Sequence, residues 1–254
     1  MSLLKDRVVR HSPSTGANSP DVWGIYEPDT GSIQYVCADP ATKQAALIDV
    51  VWNLDPKHYR FSTGSMDQVL ALVAEQGLTV AWVLDTHPHA DHVMASAQLG
   101  RRTGAPTAIG DRVGDIARIW AGLYNLPQAF DPARDFDRLL APGETIALGD
   151  LSIRVMLSPG HTLGSVTYVC GDAAFTHDTL MQPDAGTSRA DFPGGDSGQL
   201  WASIQDILSL PGDTRLFVGH DYGTKDRDAP QWEATVARHR AENRHVRDGT
   251  RREE

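Results

Sequence analysis

Thr86-His87-Pro88-His89-Ala90-Asp91-His92 places three imidazoles and a carboxylate within six residues. The stretch follows the apolar run Val80-Ala81-Trp82-Val83-Leu84, so the cluster falls where a buried strand would end. Neutral imidazole and carboxylate are ligands that zinc and non-haem iron accept, and a strand end is a rigid place from which to aim them. A solvated polar turn has no need of this spacing, and H-x-H-x-D-H is among the more specific short metal motifs. The segment is therefore expected to hold metal.

Three further apolar runs finish in a candidate ligand. Leu151–Leu157 leads into Ser158-Pro159-Gly160-His161, Ala173-Ala174-Phe175-Thr176 precedes Asp178, and Arg215–Val218 precedes His220. A sheet brings its strand ends together, so residues far apart in sequence converge on one edge. His177, beside Asp178, is expected to face away from it, because adjacent strand residues point to opposite faces.

The remaining chain reads as scaffold. Residues 22–26, 32–38 and 45–51 form a strand meander broken by Pro28-Asp29-Thr30-Gly31 and Asp39-Pro40. Asp49 ends the third run, either as a turn residue or as an acceptor for a ligating imidazole. Ser65 and Gln68 have capping-box spacing before the helical face Met66, Val69, Leu70 and Val73, which stops at Gly77. A strand over 78–84 then delivers the histidine cluster. Residues 93–102 read as a helix ending near Gly104, which would put Asp91 and His92 in its first turn. The stripe Val113, Ile116, Ala117, Trp120 and Leu123 is expected to be core. Gly149-Asp150 marks a hairpin, and Ser197 is expected to cap a helix carrying Leu200, Ile204, Ile207 and Leu208. In 231–246, Trp232 and Val236 are the anchors, while His239 and His245 are expected in solvent. The expected organisation is an N-terminal segment over 1–20, one domain over 21–247 and a polar tail over 248–254.

Composition narrows the class of partner. A formal charge of −10 repels polyanions and no basic stripe offsets it, so nucleic acid is not an expected partner. No apolar run is long enough to cross a bilayer, and Met1 to Arg10 lacks the apolar core and cleavage site of a secretory signal. A cytoplasmic protein without membrane association is expected. Cys37 and Cys170 lie inside strand-like runs, as buried reduced thiols rather than a disulfide or a nucleophile.

T-H-P-H-A-D-H, S-P-G-H-T-L-G-S, T-H-D-T-L and G-H-D-Y resemble the ordered metal motifs of the metallo-β-lactamase superfamily, over nearly the whole chain. The resemblance implies an α/β (α+β) fold: a four-layer αββα sandwich, two mixed β-sheets flanked by helices with metal at one edge. Fold does not fix function, since that superfamily contains hydrolases of several ester and amide types as well as oxygenases.

Asp178-Thr179-Leu180-Met181-Gln182-Pro183-Asp184 and the segment Gly186 to Asp196 are similar to the persulfide dioxygenase branch. That resemblance implies one Fe(II) per chain on His87, His161 and Asp178, glutathione persulfide or a similar small persulfide and O2 as substrates, and sulfite and thiol as products. A two-histidine, one-carboxylate triad leaves open positions for both substrates. His89, Asp91, His92 and His220 would then serve as hydrogen-bond partners or line the pocket. Tyr222 resembles the branch's tyrosine beside iron, with a catalytic or substrate-binding hydroxyl, and Arg189 would bind a substrate carboxylate or pair with Asp191. A homodimer is also implied. The rival enzyme is a dinuclear Zn(II) hydrolase of glyoxalase II type cleaving a thioester or other glutathione conjugate, in which His89, Asp91, His92 and His220 hold a second ion. A non-catalytic metal-binding module is the third reading, and the open donor set argues against it.

Overall fold

The computed structural model describes residues 8–251. In chain order the elements are β1 (Val9–Ser12), β2 (Asp21–Glu27), β3 (Ser32–Ala38), β4 (Gln44–Ile48), β5 (Val51–Asp55), β6 (Arg60–Ser62), α1 (Gly64–Glu75), β7 (Thr79–Asp85), β8 (Val93–Met94), α2 (Ser96–Thr103) and β9 (Thr107–Gly110). They continue with α3 (Val113–Leu123), α4 (Pro132–Asp135), β10 (Arg138–Leu140), β11 (Thr145–Leu148), β12 (Leu151–Leu157), β13 (Val166–Cys170), β14 (Ala173–His177), α5 (Ser197–Leu208), β15 (Arg215–Val218), β16 (Glu233–Thr235) and α6 (Val236–Glu242).

The strands form two large sheets, ordered β1-β2-β3-β4-β7-β9-β10 and β11-β12-β13-β14-β15-β16, with β6-β5-β8 as a small third sheet. Both large sheets are mixed: β4, β7, β9 and β10 run parallel, as do β14 and β15, and the other pairs are antiparallel. Ile33, Tyr35, Ile48 and Leu84 from the first sheet meet Ile153, Val155, Tyr168 and Phe175 from the second in one buried cluster. The outer face of the first sheet packs Ile25, Val36, Leu47 and Val83 against Met66, Val69 and Leu72 of α1 and Leu99 of α2. The outer face of the second packs Val169, Ala174 and Leu216 against Leu200, Ile204 and Ile207 of α5 and Val236 of α6. Helix, sheet, sheet, helix is the layer order implied above. It explains why β3 is buried at every position while β12 alternates.

At the rim the sheets are stitched by Ile33 N–H to Gly219 O at 2.8 Å and Asp221 N–H to Gly31 O at 2.9 Å. This seam fixes the loop carrying His220 beside the one that follows β7.

Several local expectations need correction. The third run of the meander breaks at Asp49, whose φ of 50° turns the chain from β4 into β5. Helix α2 starts at Ser96, after the short β8, so Asp91 and His92 lie in a loop rather than in a helical first turn. Its end at Gly104, in the left-handed conformation, is as expected. Thr63 rather than Ser65 occupies the N-cap of α1, so Ser65 and Gln68 lie inside the helix and the capping-box frame is displaced. Asp196, not Ser197, caps α5 by accepting from Gln199 N–H at 2.7 Å. His239 is fully buried against Asn243, contrary to the solvated expectation, because α6 turns it under the loop at Gly186. His245 is exposed and faces Thr187. Cys37 and Cys170 are buried and unbridged, and their mutual hydrogen bond together with burial pushes the Cys37 thiol up.

Candidate metal centre

The loops after β7, β12, β14 and β15 bring His87, His161, Asp178 and His220 to one edge of the sandwich, all nearly excluded from solvent. Asp49 at the end of β4 organises the first of these loops. It accepts from Thr86 N–H at 2.8 Å and from the Thr86 hydroxyl at 2.7 Å. With its proton committed to Asp49, the Thr86 oxygen accepts from His87 Nδ1–H at 3.0 Å. His161 Nδ1–H donates to the backbone carbonyl of Arg189 at 2.9 Å. Both imidazoles thus carry hydrogen on Nδ1 and present a bare Nε2.

Those two Nε2 atoms converge on the same carboxylate oxygen, Asp178 Oδ2, at 3.6 Å from His87 and 3.7 Å from His161. These separations are too long for hydrogen bonds, and they set two lone pairs against an anionic oxygen. That arrangement is repulsive unless a cation lies between the three donors. His87 Nε2, both nitrogens of His89 and His92 Nε2 are buried with no hydrogen-bond partner. The donor set fits a metal ion for that reason.

The neighbouring histidines form a second group. Ligand atoms of His87, His89 and Asp178 lie within 4.8 Å of one another, as do those of His89, Asp91, His92 and His220. His89 stacks between His87 and His92, with ring centroids 4.0 and 4.2 Å away, and its Nε2 stands 3.4 Å from Asp49. Burial, reinforced by His87 and His92, lowers its pKa to about 3 and keeps it neutral. His220 differs. Its Nδ1 meets Asp178 Oδ1 at 2.6 Å and its Nε2 meets Asp91 Oδ2 at 2.8 Å. Burial opposes the charge on this ring, but Asp178 and Asp91 outweigh it and raise the pKa to about 10. Both His220 nitrogens therefore carry protons in this arrangement. Burial opposes ionisation of Asp178 as well, and His220 overcomes it, holding the carboxyl well below its usual range.

The remaining expected site residues are placed as follows. Tyr222 stacks on His220 at 5.5 Å with an interplanar angle of 16° and is largely exposed. Burial of its inner part, then Asp178 and Asp91, raise its pKa to about 12, so the hydroxyl keeps its proton. The Arg189 side chain pairs with Asp191 at 2.8 Å in solvent, and only its backbone carbonyl reaches His161. His177 stands apart from both ligand clusters, but the alternation argument for this fails. β14 bulges there, with φ 40°, and the ring packs 4.9 Å from His87.

Sequence reading assigned no chemistry to α3, yet Ile116, Trp120 and Tyr124 wall a cavity of about 320 Å³ that also contains His89 and His161. Only Val113 and Ile116 of the expected core stripe are buried. A larger cavity of about 680 Å³ opens on the other side of the cluster, at Asp91 and His92.

A metal-binding edge on an αββα sandwich defines a class of metalloenzymes. The sequence profile of the metallo-beta-lactamase superfamily matches residues 34–220, and the chain belongs to that superfamily. It is similar to a beta-lactamase hydrolase-like protein of Xylella fastidiosa, 53% identical over 90% of this chain, and spans 53% of that relative's length. Glyoxylase B2 of Dictyostelium discoideum is 35% identical, covering 92% of this chain and 80% of the relative. The mitochondrial persulfide dioxygenase ETHE1 of Bos taurus is 29% identical, covering 87% and 76%. The crystal structure of ETHE1 from Myxococcus xanthus superposes with a TM-score of 0.71 at 30% identity, covering 91% of this chain and 85% of that one. Among the described residues no helix is long and apolar enough to cross a membrane.

Proposed function

We propose that the chain is an Fe(II)-dependent dioxygenase that oxidises a low-molecular-weight persulfide. In the balanced reaction, persulfide, O2 and water give thiol, sulfite and two protons, four electrons passing from the two sulfurs to O2. His87, His161 and Asp178 are the proposed ligands. The observation that carries the reading is the convergence of two bare Nε2 atoms on one oxygen of Asp178. A bound ferrous ion would supply adjacent open positions at which persulfide sulfur and O2 meet.

The chain's own groups prepare that ion's surroundings. Asp49, through Thr86, and the Arg189 carbonyl lock the tautomers of His87 and His161. His220 holds Asp178 Oδ1, leaving Oδ2 toward the two histidines. Tyr222, protonated and stacked on His220, is proposed to donate a hydrogen bond to the bound substrate.

The dinuclear zinc hydrolase reading draws support from the second cluster of His89, Asp91, His92 and His220 and from the hydrolase-like names of two relatives. Against it, His220 is fastened at both nitrogens to carboxylates, and the hydrogen-bonded Asp178 Oδ1 is engaged rather than free to bridge ions. Metal content measured together with O2 uptake on glutathione persulfide separates the two readings. About one iron per chain with O2 consumption supports the dioxygenase, and a zinc pair with thioester cleavage and no O2 uptake overturns it.

A further inference from the structure

The cavity of about 320 Å³ beside the cluster has His89 and His161 in its lining, opposite an aromatic wall. Trp120 and Tyr124 of α3 stack on each other at 5.5 Å, and Phe192 lies edge-on to His161 at 5.2 Å. Phe130 completes the wall, and no lysine, arginine, aspartate or glutamate lines it. The basic side chains near its rim are already committed: Arg112 and Arg118 both to Asp115, and Arg189 to Asp191.

Glutathione carries two carboxylates and an ammonium group, and a carboxylate brought to a surface without cationic or N–H partners loses hydration uncompensated. The larger cavity is no better suited. Glu27, Asp29, Asp55 and Asp91 line it against Lys57 as its one basic side chain. An apolar group, by contrast, gains from leaving water against Trp120, Tyr124 and Phe192, and this wall is near enough to His161 for a sulfur one or two bonds away to reach the metal ligands.

Taking the dioxygenase reading as given, we infer that this cavity seats the uncharged carbon skeleton of an alkyl or aryl persulfide, and that such persulfides are preferred over glutathione persulfide.

The test uses iron-loaded protein, with O2 uptake measured on benzyl persulfide and on glutathione persulfide. Calorimetric titration with phenylmethanethiol and with glutathione runs alongside, because it needs no turnover. Expected is a kcat/KM about tenfold higher for benzyl persulfide, a ratio that Trp120→Gln lowers about tenfold, mainly through KM. Phenylmethanethiol binding should weaken by a similar factor. Tyr124→Arg, at an exposed position where folding is not threatened, should shift the ratio toward glutathione persulfide. A wild-type preference for glutathione persulfide that neither substitution moves would overturn the assignment. So would a dimer that Tyr124→Arg dissociates with thiol binding unchanged, since the exposed Leu123, Tyr124, Leu126 and Phe130 would then be covered by a second copy. If neither persulfide supports O2 uptake while phenylmethanethiol binding still depends on Trp120, the dioxygenase reading falls and the pocket assignment stands.

Discussion

At the scale of single residues, the centre depends on which imidazole nitrogen is bare. His161 is set by one backbone carbonyl, and its side chain leaves no other group on β12 or its following loop to replace it as a proposed ligand. His161→Ala is expected to reduce iron retention from about one per chain to under about a tenth; plasma emission analysis after desalting checks this, and unchanged iron would remove His161 from the ligand set. Asp49 accepts two hydrogen bonds from Thr86 inside the protein. Asp49→Ala leaves a buried N–H and hydroxyl unpaired, so urea unfolding should show a loss of roughly 2 kcal/mol or more; a change under about 0.5 kcal/mol would mean water replaces the carboxylate. The side-chain ligands were legible because imidazole and carboxylate carry their chemistry in their identity. The Arg189 carbonyl was not, since every residue has one and only the fold decides which reaches a histidine.

At the scale of elements, the site depends on close approaches that the sequence marks only as glycine. Gly160, with φ 134°, precedes His161, and a Cβ there would fall 2.2 Å from the Leu200 backbone nitrogen in α5. Gly160→Ala should therefore push the His161 loop away from α5, costing roughly 2 kcal/mol or more of stability and part of the bound iron. Wild-type unfolding and iron content in that variant would contradict the packing described. In α6, burial, with Arg238 adding to it, lowers the pKa of His239 to about 4. The unfolded chain takes up a proton near pH 6.5 that the folded chain refuses, so stability is full above that pH and is lost as pH falls toward 4. Between pH 7.5 and 5.5 this contributes about 1.4 kcal/mol, and His239→Gln should remove that share of the pH dependence measured by urea unfolding. An identical pH dependence in both proteins would put His239 in water.

Element types were readable where periodicity was strong, as in β3, β12 and α5. Boundaries moved where a special backbone angle intervened, at Asp49 and His177, because neither residue type demands a positive φ. The α3 stripe was misread as core for a different reason. Helical spacing shows that one face is apolar, not whether protein or a ligand cavity covers it.

At the scale of the whole molecule, two sheets packed face to face bring four loops into one buried cluster, so the ion and the fold are thermodynamically linked. Chelation is expected to lower the thermal midpoint by roughly 10 °C, as saturating metal at about a thousand times its dissociation constant contributes about 4 kcal/mol. A midpoint that does not move on metal removal would mean that the site binds too weakly to matter for the fold. Because the sandwich also supports hydrolases, no feature of the architecture decides between one iron and two zincs.

The most direct test is anaerobic reconstitution, followed by metal analysis and simultaneous measurement of O2 and sulfite with a persulfide substrate. The proposal predicts about one iron per chain and about one sulfite formed per O2 consumed. Two zinc ions per chain, no O2 uptake and cleavage of a glutathione thioester would contradict it.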